Sequence, residues 1–111
     1  MKHIHDAVYC PPNMAEAVLL GIAQDGGRPQ AGCNKSCCIG LSPEEYSYPT
    51  SLGIIEQDRL HIIDVTRQLA NQLQFLENKI PSDVWLTHAH FGHVDGLGLF
   101  GRETINAKGI N

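Results

Sequence analysis

Asp83-Val-Trp-Leu-Thr-His-Ala-His-Phe-Gly-His-Val-Asp-Gly96 is the stretch on which the reading of this chain turns. Three of the chain's six histidines, His88, His90 and His93, fall inside it. They follow a short β-type run, residues 83–87, and precede a Gly-rich turn into Gly96-Leu-Gly-Leu-Phe100. Residues two apart in an extended segment share a face, so His88 and His90 are expected to point at one spot. His93 falls where the strand must break, at the start of a helix. Imidazoles converging from a strand end and the following loop suit Zn²⁺, Fe²⁺ or a similar ion. The competing reading is a solvated surface loop that happens to be rich in histidine.

Within that stretch, Thr87-His-Ala-His-Phe-Gly-His-Val-Asp-Gly96 resembles the T-H-x-H-x-D-H-x-x-G signature of the metallo-β-lactamase fold superfamily. It departs at one place, where Gly92 stands in the position of the family's aspartate. The resemblance implies that His88 and His90 hold one metal ion and that the pair to which His93 belongs helps to hold a second. Glycine offers no side-chain ligand, so the expectation is a mononuclear centre, or one rebuilt with a ligand from elsewhere. An aspartate restored at position 92 is expected to favour the second ion. The implied fold is α/β, a four-layered αββα sandwich of two similar halves. Residues 1–111 read as its N-terminal half, a partial domain with further metal ligands expected beyond Asn111.

At 111 residues the chain has room for one small domain. An apolar fraction of 42% with 18% charged residues is that of a globular chain rather than a disordered one. A net charge of −4, with scattered basic residues, provides no field for nucleic acid or an anionic membrane. No apolar run approaches the ~20 residues of a membrane span, and the N-terminus lacks the apolar core of a secretory signal. A cytoplasmic location is expected. Residues 1–14, with His3, His5, Cys10 and the Pro11-Pro12 pair, read as a loose lead-in, its histidines solvated rather than ligating.

Ala17-Val-Leu-Leu-Gly-Ile-Ala23 is a continuous apolar run, as expected for a strand buried on both faces. It stops at Asp25-Gly-Gly and opens a Gly/Cys-rich loop, residues 24–41, that carries Cys33, Cys37 and Cys38. The segment Leu20-Gly-Ile-Ala-Gln-Asp-Gly-Gly-Arg-Pro-Gln-Ala-Gly-Cys33 is similar to the opening of the superfamily branch related to the pyrroloquinoline quinone biosynthesis B protein. The three cysteines lie close enough in sequence to share one ion. Adjacent residues of an extended chain point apart, however, so Cys37-Cys38 is not a simple zinc knuckle. A fourth ligand would have to come from Cys10, a histidine or elsewhere. Structural zinc and three reduced, partly buried thiols both remain open; a disulfide ranks third, because nothing indicates an oxidising compartment.

Ser42-Pro-Glu-Glu-Tyr46 has the N-cap, first-turn proline and third-position glutamate of a short helical turn. Ser51-Leu-Gly-Ile-Ile-Glu56 and Arg59-Leu-His-Ile-Ile-Asp-Val65 read as a hairpin closed at Gln57-Asp58. Asp64 matches the place of an L-I-D-T-G-like stretch in the superfamily. That resemblance implies a carboxylate orienting a ligand histidine from behind. The alternative is a strand-end carboxylate facing a turn or helix end. Thr66 is placed to cap a helix over residues 66–78, with Leu69, Leu73 and Leu76 as its apolar stripe and Gln68, Asn71, Gln72 and Gln74 as polar positions. His61, inside a strand, reads as packed or half-exposed rather than ligating.

The function expected from these residues is metal-dependent hydrolysis of a small-molecule substrate by activated water. The metal ligands are His88, His90 and His93, with Cys33, Cys37 and Cys38 for a separate ion. The expected metal is Zn²⁺, with Fe²⁺ as the alternative. Asp64 and Asp95 are the candidate catalytic carboxylates; Asp25 and Asp95 are the carboxylates considered as replacements for the missing aspartate. The quinone-biosynthesis branch implies a rival, iron-dependent oxidative chemistry on an amino-acid-derived substrate. A third reading is a metal-binding fragment without catalysis. A half-sandwich leaves one sheet face uncovered, so self-association through that face is also expected.

Overall fold

Ser51–Glu56 and Arg59–Ile63 alternate between buried and more exposed residues, the period-two pattern of strands with one covered face. In the structure, a computed structural model that describes residues 9–111, these are β2 and β3. The expectations for His3 and His5 lie outside the described residues. β2 and β3 pair antiparallel with Glu56 opposite Arg59, and Gln57 takes a left-handed φ of 53° to close the tight hairpin. β1 (Glu16–Gly21) pairs antiparallel with β2, and β4 (Asp83–Trp85) pairs parallel with β3. The sheet order is therefore β1-β2-β3-β4.

One face of the sheet is covered by α1 (Leu69–Leu73), which continues as a 3₁₀ turn, Gln74–Leu76. Leu69, Leu73 and Leu76 all point into the core against Leu20, Ile55, Leu60 and Ile62. The helix is shorter than the expected span of residues 66–78. Glu77 and Asn78 enter the left-handed region at φ 54° and 59° and stop it. At the other end the Thr66 hydroxyl accepts the Gln68 N–H at 3.0 Å. The same hydroxyl donates to Gln72 Oε1 at 2.7 Å. Gln72 Nε2 in turn donates to the carbonyls of Leu20 and Pro49, at 3.2 and 2.9 Å. Gln72 is thus fully buried rather than on a polar face, and its satisfied amide ties α1 to the end of β1.

The expectation of a first strand buried on both faces is corrected. Leu20 is buried, but Leu19 is 72% and Ile22 77% exposed, because β1 is an edge strand and α1 packs on one side only. The face left uncovered among the described residues carries the cross-strand row Leu19, Leu52, Ile63 and Trp85. Pro43–Glu45 is a single 3₁₀ turn capped reciprocally by Ser42 and Glu45, where one or two helical turns were expected. Among the described residues no helix is long and apolar enough to cross a membrane.

Candidate metal centre

β3 and β4 run parallel, so their carboxyl ends meet on one side of the sheet. Asp64 follows β3 there, and Thr87 to His93 follow β4. The backbone is stitched across this junction: Asp64 N–H donates to the Trp85 carbonyl at 2.8 Å and Val65 N–H to that of His93 at 2.9 Å, while Gly96 N–H donates to Val65 at 3.1 Å. Gly96 is required by that last contact, since a Cβ there would lie 2.0 Å from the Thr66 carbonyl oxygen. The histidine loop is therefore pinned before it begins, at Trp85, and at the carboxyl end of the short helix α2 (Phe91–Val94), at His93 and Gly96.

Asp64 adopts φ 67°, which turns its side chain beneath the histidines. Its Oδ1 accepts Thr87 N–H at 2.8 Å and its Oδ2 accepts the Thr87 hydroxyl at 2.7 Å. Oδ2 also accepts His93 Nδ1–H at 2.7 Å. Burial by itself pushes the Asp64 carboxyl up, but the Thr87 bonds, the His93 bond and the His93 charge together outweigh it and leave the pKa below the usual value. Because the Thr87 hydroxyl gives its proton to Asp64, it is left to accept from His88 Nδ1–H, 2.8 Å away. One buried carboxylate thus engages Nδ1 of His93 directly and of His88 through Thr87, which leaves Nε2 of each ring as the donor atom when the ring is neutral.

The three imidazoles cluster: His88 lies 4.0 Å from His93 and 4.6 Å from His90 between ring centroids. Asp64, His88 and His93 offer donor atoms that all lie within 4.8 Å of one another. His90, the N-cap of α2, meets His88 edge to face and is outside that set. Asp95 is elsewhere occupied. Its Oδ2 accepts Arg67 Nε–H at 2.7 Å, and its buried Oδ1 has no hydrogen-bond partner among the described residues. Asp25, from the turn after β1, is also outside that set but is brought beside one of its members, its Oδ1 3.2 Å from His93 Nε2. Asp25 and His93 border an open groove of about 470 Å³, together with Ile22, Gln24 and Thr50. Free imidazole nitrogens beside carboxylates are a donor set that fits a divalent zinc or iron ion.

Cys33, Cys37 and Cys38 form a second group of donor atoms within 4.8 Å. The expectation that Cys37 and Cys38 point apart is corrected. Residues 35–39 are a turn, with the Cys38 and Ile39 N–H groups both on the Lys35 carbonyl, and adjacent sulfurs come to 3.8 Å. Cys33 and Cys37 are 4.0 Å apart. The Gln30 N–H donates to Cys38 Sγ at 3.3 Å and favours its thiolate, lowering its pKa, while the bond to Cys38 raises that of Cys33. All four cysteines are free. Cys10 is not in the group; it is buried in the core beside the hairpin turn, where its N–H donates to Gln57.

His61, expected to be packed or half-exposed, is half-buried on β3 and accepts Trp85 Nε1–H at 3.2 Å. Asp25 was legible only as one of two carboxylates considered as replacements for the missing aspartate. Nothing in its local pattern reveals that the chain folds it onto Gly92 and His93, 67 and 68 positions later.

No family profile and no curated protein matches this chain. Among solved structures it is similar to a diphosphatase from the PhnP family, with 25% identity and a TM-score of 0.68 over 78% of this chain and 34% of that one. It is also similar to Zn²⁺-bound PqqB from Methylobacterium extorquens, with 23% identity and a TM-score of 0.65 over 82% of this chain and 35% of that one. The chain spans about a third of the length of either.

Proposed function

We propose that this chain, which has the metallo-β-lactamase fold of both structural neighbours, carries the metal-binding portion of a hydrolase acting on a small molecule. The observation that carries the reading is the donor group of Asp64, His88 and His93 at the carboxyl ends of two parallel strands. His88 and His93 would hold the ion through Nε2, with His90 close enough to join by a ring rotation. A bound ion supplies Lewis acidity and brings the pKa of water towards ~7.

The chain's own residues supply the rest. Asp64 fixes His93 directly and His88 through Thr87, so neither ring has to be ordered when substrate arrives. Ile22, Gln24 and Thr50 line the groove beside Asp25 and His93, a mixed surface able to position a small polar molecule against the centre. The separate cysteine group supplies three of the four soft ligands that a structural zinc ion takes.

The diphosphatase neighbour makes phosphate anhydrides and esters the first substrates to test. Metal analysis of the purified chain, with turnover of diphosphate and phosphodiester compounds by it and by any longer natural form that contains it, is the decisive experiment. Zinc at the histidine group with metal-dependent hydrolysis supports the proposal; a protein without metal there overturns it. Two histidines with one carboxylate also suit Fe²⁺. Iron with oxygen uptake and no hydrolysis would therefore establish the oxidative reading instead.

A further inference from the structure

Gly92 and Asp25 occupy one volume. A Cβ built on Gly92 would lie 2.2 Å from Asp25 Cγ, 2.3 Å from its Cβ and 2.6 Å from its Oδ1. No real side chain tolerates such contacts, so the carboxylate of residue 25 fills the space into which a residue at position 92 would project. That carboxylate also faces the neighbouring ring, with Oδ1 3.2 Å from His93 Nε2. On the opposite side Nδ1–H is donated to Asp64. A carboxylate oxygen only accepts, and Nε2 of a ring whose hydrogen is on Nδ1 also only accepts. Two acceptors held face to face need a cation between them, either a proton on Nε2 or a metal ion.

We propose that Asp25 is a metal ligand of this centre, supplying from the turn after β1 the carboxylate that the glycine at position 92 lacks. Asp25 and His93 are then two ligands of one divalent cation. The glycine is what lets Asp25 reach it, so Gly92 is a partner of the relocated ligand rather than a sign of a lost one. The expectation that an aspartate at position 92 would by itself favour a second ion is therefore reversed: with Asp25 present there is no room for it. The inference rests on the proposed metal centre, but its steric half does not.

The test is a four-member cycle of the parent chain, Asp25→Gly, Gly92→Asp and the double variant, with Asp25→Asn as the isosteric control. Co²⁺ is the probe, since thiolate charge-transfer bands separate ion held by cysteine from ion held by nitrogen and oxygen. Affinity of the latter, by chelator competition, should fall in Asp25→Asn and Asp25→Gly by at least the ~10–100-fold typical of losing even an outer partner. Gly92→Asp alone should lower Tm, and the double variant should recover both Tm and affinity. Unchanged affinity in Asp25→Asn, with the parent binding Co²⁺ at the histidines, overturns the ligand role alone. A parent that binds no such ion sinks the metal centre and the ligand role together. Gly92→Asp as stable as the parent sinks the shared-volume argument whatever the metal does.

Discussion

Asp64 Oδ2 accepts His93 Nδ1–H at 2.7 Å from beneath the histidine cluster, while the same oxygen accepts the Thr87 hydroxyl. The bond decides which nitrogen of His93 is available, and through Thr87 it decides the same for His88. Asp64→Asn keeps the shape and the tolerance for a positive φ but loses the charge. Its affinity for the histidine-bound ion should drop ~10–100-fold, as read by chelator competition, while the fold persists. An Asn variant that bound the ion as tightly as the parent would show that Asp64 serves packing alone.

Asp64 and Asp83, the two buried carboxylates whose pKa is lowered, should contribute acid sensitivity. For Asp83, burial pushes the carboxyl up, but bonds from Asn111 and Arg59, with the charges of Arg59 and His61, outweigh it and leave its pKa lowered, as Asp64's is. A folded-state pKa below the unfolded value means that the unfolded chain binds more protons. The stabilisation is therefore complete above the unfolded carboxylate value of about 3.9 and is lost as pH falls through the lower folded values. Thermal unfolding scans should show a Tm that is flat with respect to these two groups above about pH 5 and falls below about pH 4. In Asp83→Asn that acid-side slope should be shallower; an identical slope would remove Asp83 from the account.

Much of this architecture was legible locally. The hairpin at Gln57-Asp58 and the Leu69, Leu73, Leu76 stripe follow from periods of two and 3.6 residues, which sequence displays directly. Gln72 was not legible, because its partners Leu20 and Pro49 lie 52 and 23 residues away and only tertiary closure brings them. The sulfurs of Cys37 and Cys38 were read from an extended backbone, whereas the loop turns. The fit of Asp25 over Gly92 is likewise a contact between distant segments, and a missing side chain leaves no pattern to read.

Gly96 tests how the histidine loop is anchored. Its Cβ position lies 2.0 Å from the Thr66 carbonyl oxygen and 2.8 Å from Val65 Cγ1, and neither neighbour is the end of a flexible side chain. Gly96→Ala must push α2 off Val65. The cost should be about 1–3 kcal/mol, as for overpacking, which is on the order of 5–15 °C in Tm for a domain of this size. Calorimetry that finds no loss would mean the loop is docked less closely than the Val65–Gly96 hydrogen bond requires.

The cysteine group should be separable from the histidines. Cys33, Cys37 and Cys38 are brought together by their own turn, held by Gln30 N–H on Cys38 and by Arg28 on the Cys37 carbonyl. Cys37→Ser should lower zinc content and Tm while ion on the histidines stays, since a hydroxyl is a poor substitute for a soft thiolate. Loss of the histidine-bound ion with the fold unharmed would instead place the cysteines in the same centre.

The uncovered sheet face should drive association of the 111-residue chain. Leu19, Ile22 and Trp85 are 72%, 77% and 58% exposed, and Leu19 and Trp85 end the row that crosses all four strands. Each large apolar side chain removed from water contributes about 1.5–3 kcal/mol, so pairing two such faces outweighs several kcal/mol of lost freedom. Arg59 of β3 and Asp83 of β4 are already paired with each other, and Asp64 beside the row is bonded to Thr87 and His93, so these charges offer little to hold copies apart. We propose a dimer or larger species formed face to face. Sedimentation velocity on the parent should show it, and Leu19→Gln with Ile22→Gln should shift the population to monomer without lowering Tm, because neither side chain packs in the core. A parent that sediments as a monomer at high micromolar concentration would mean that the face is tolerated in water and that no second copy covers it.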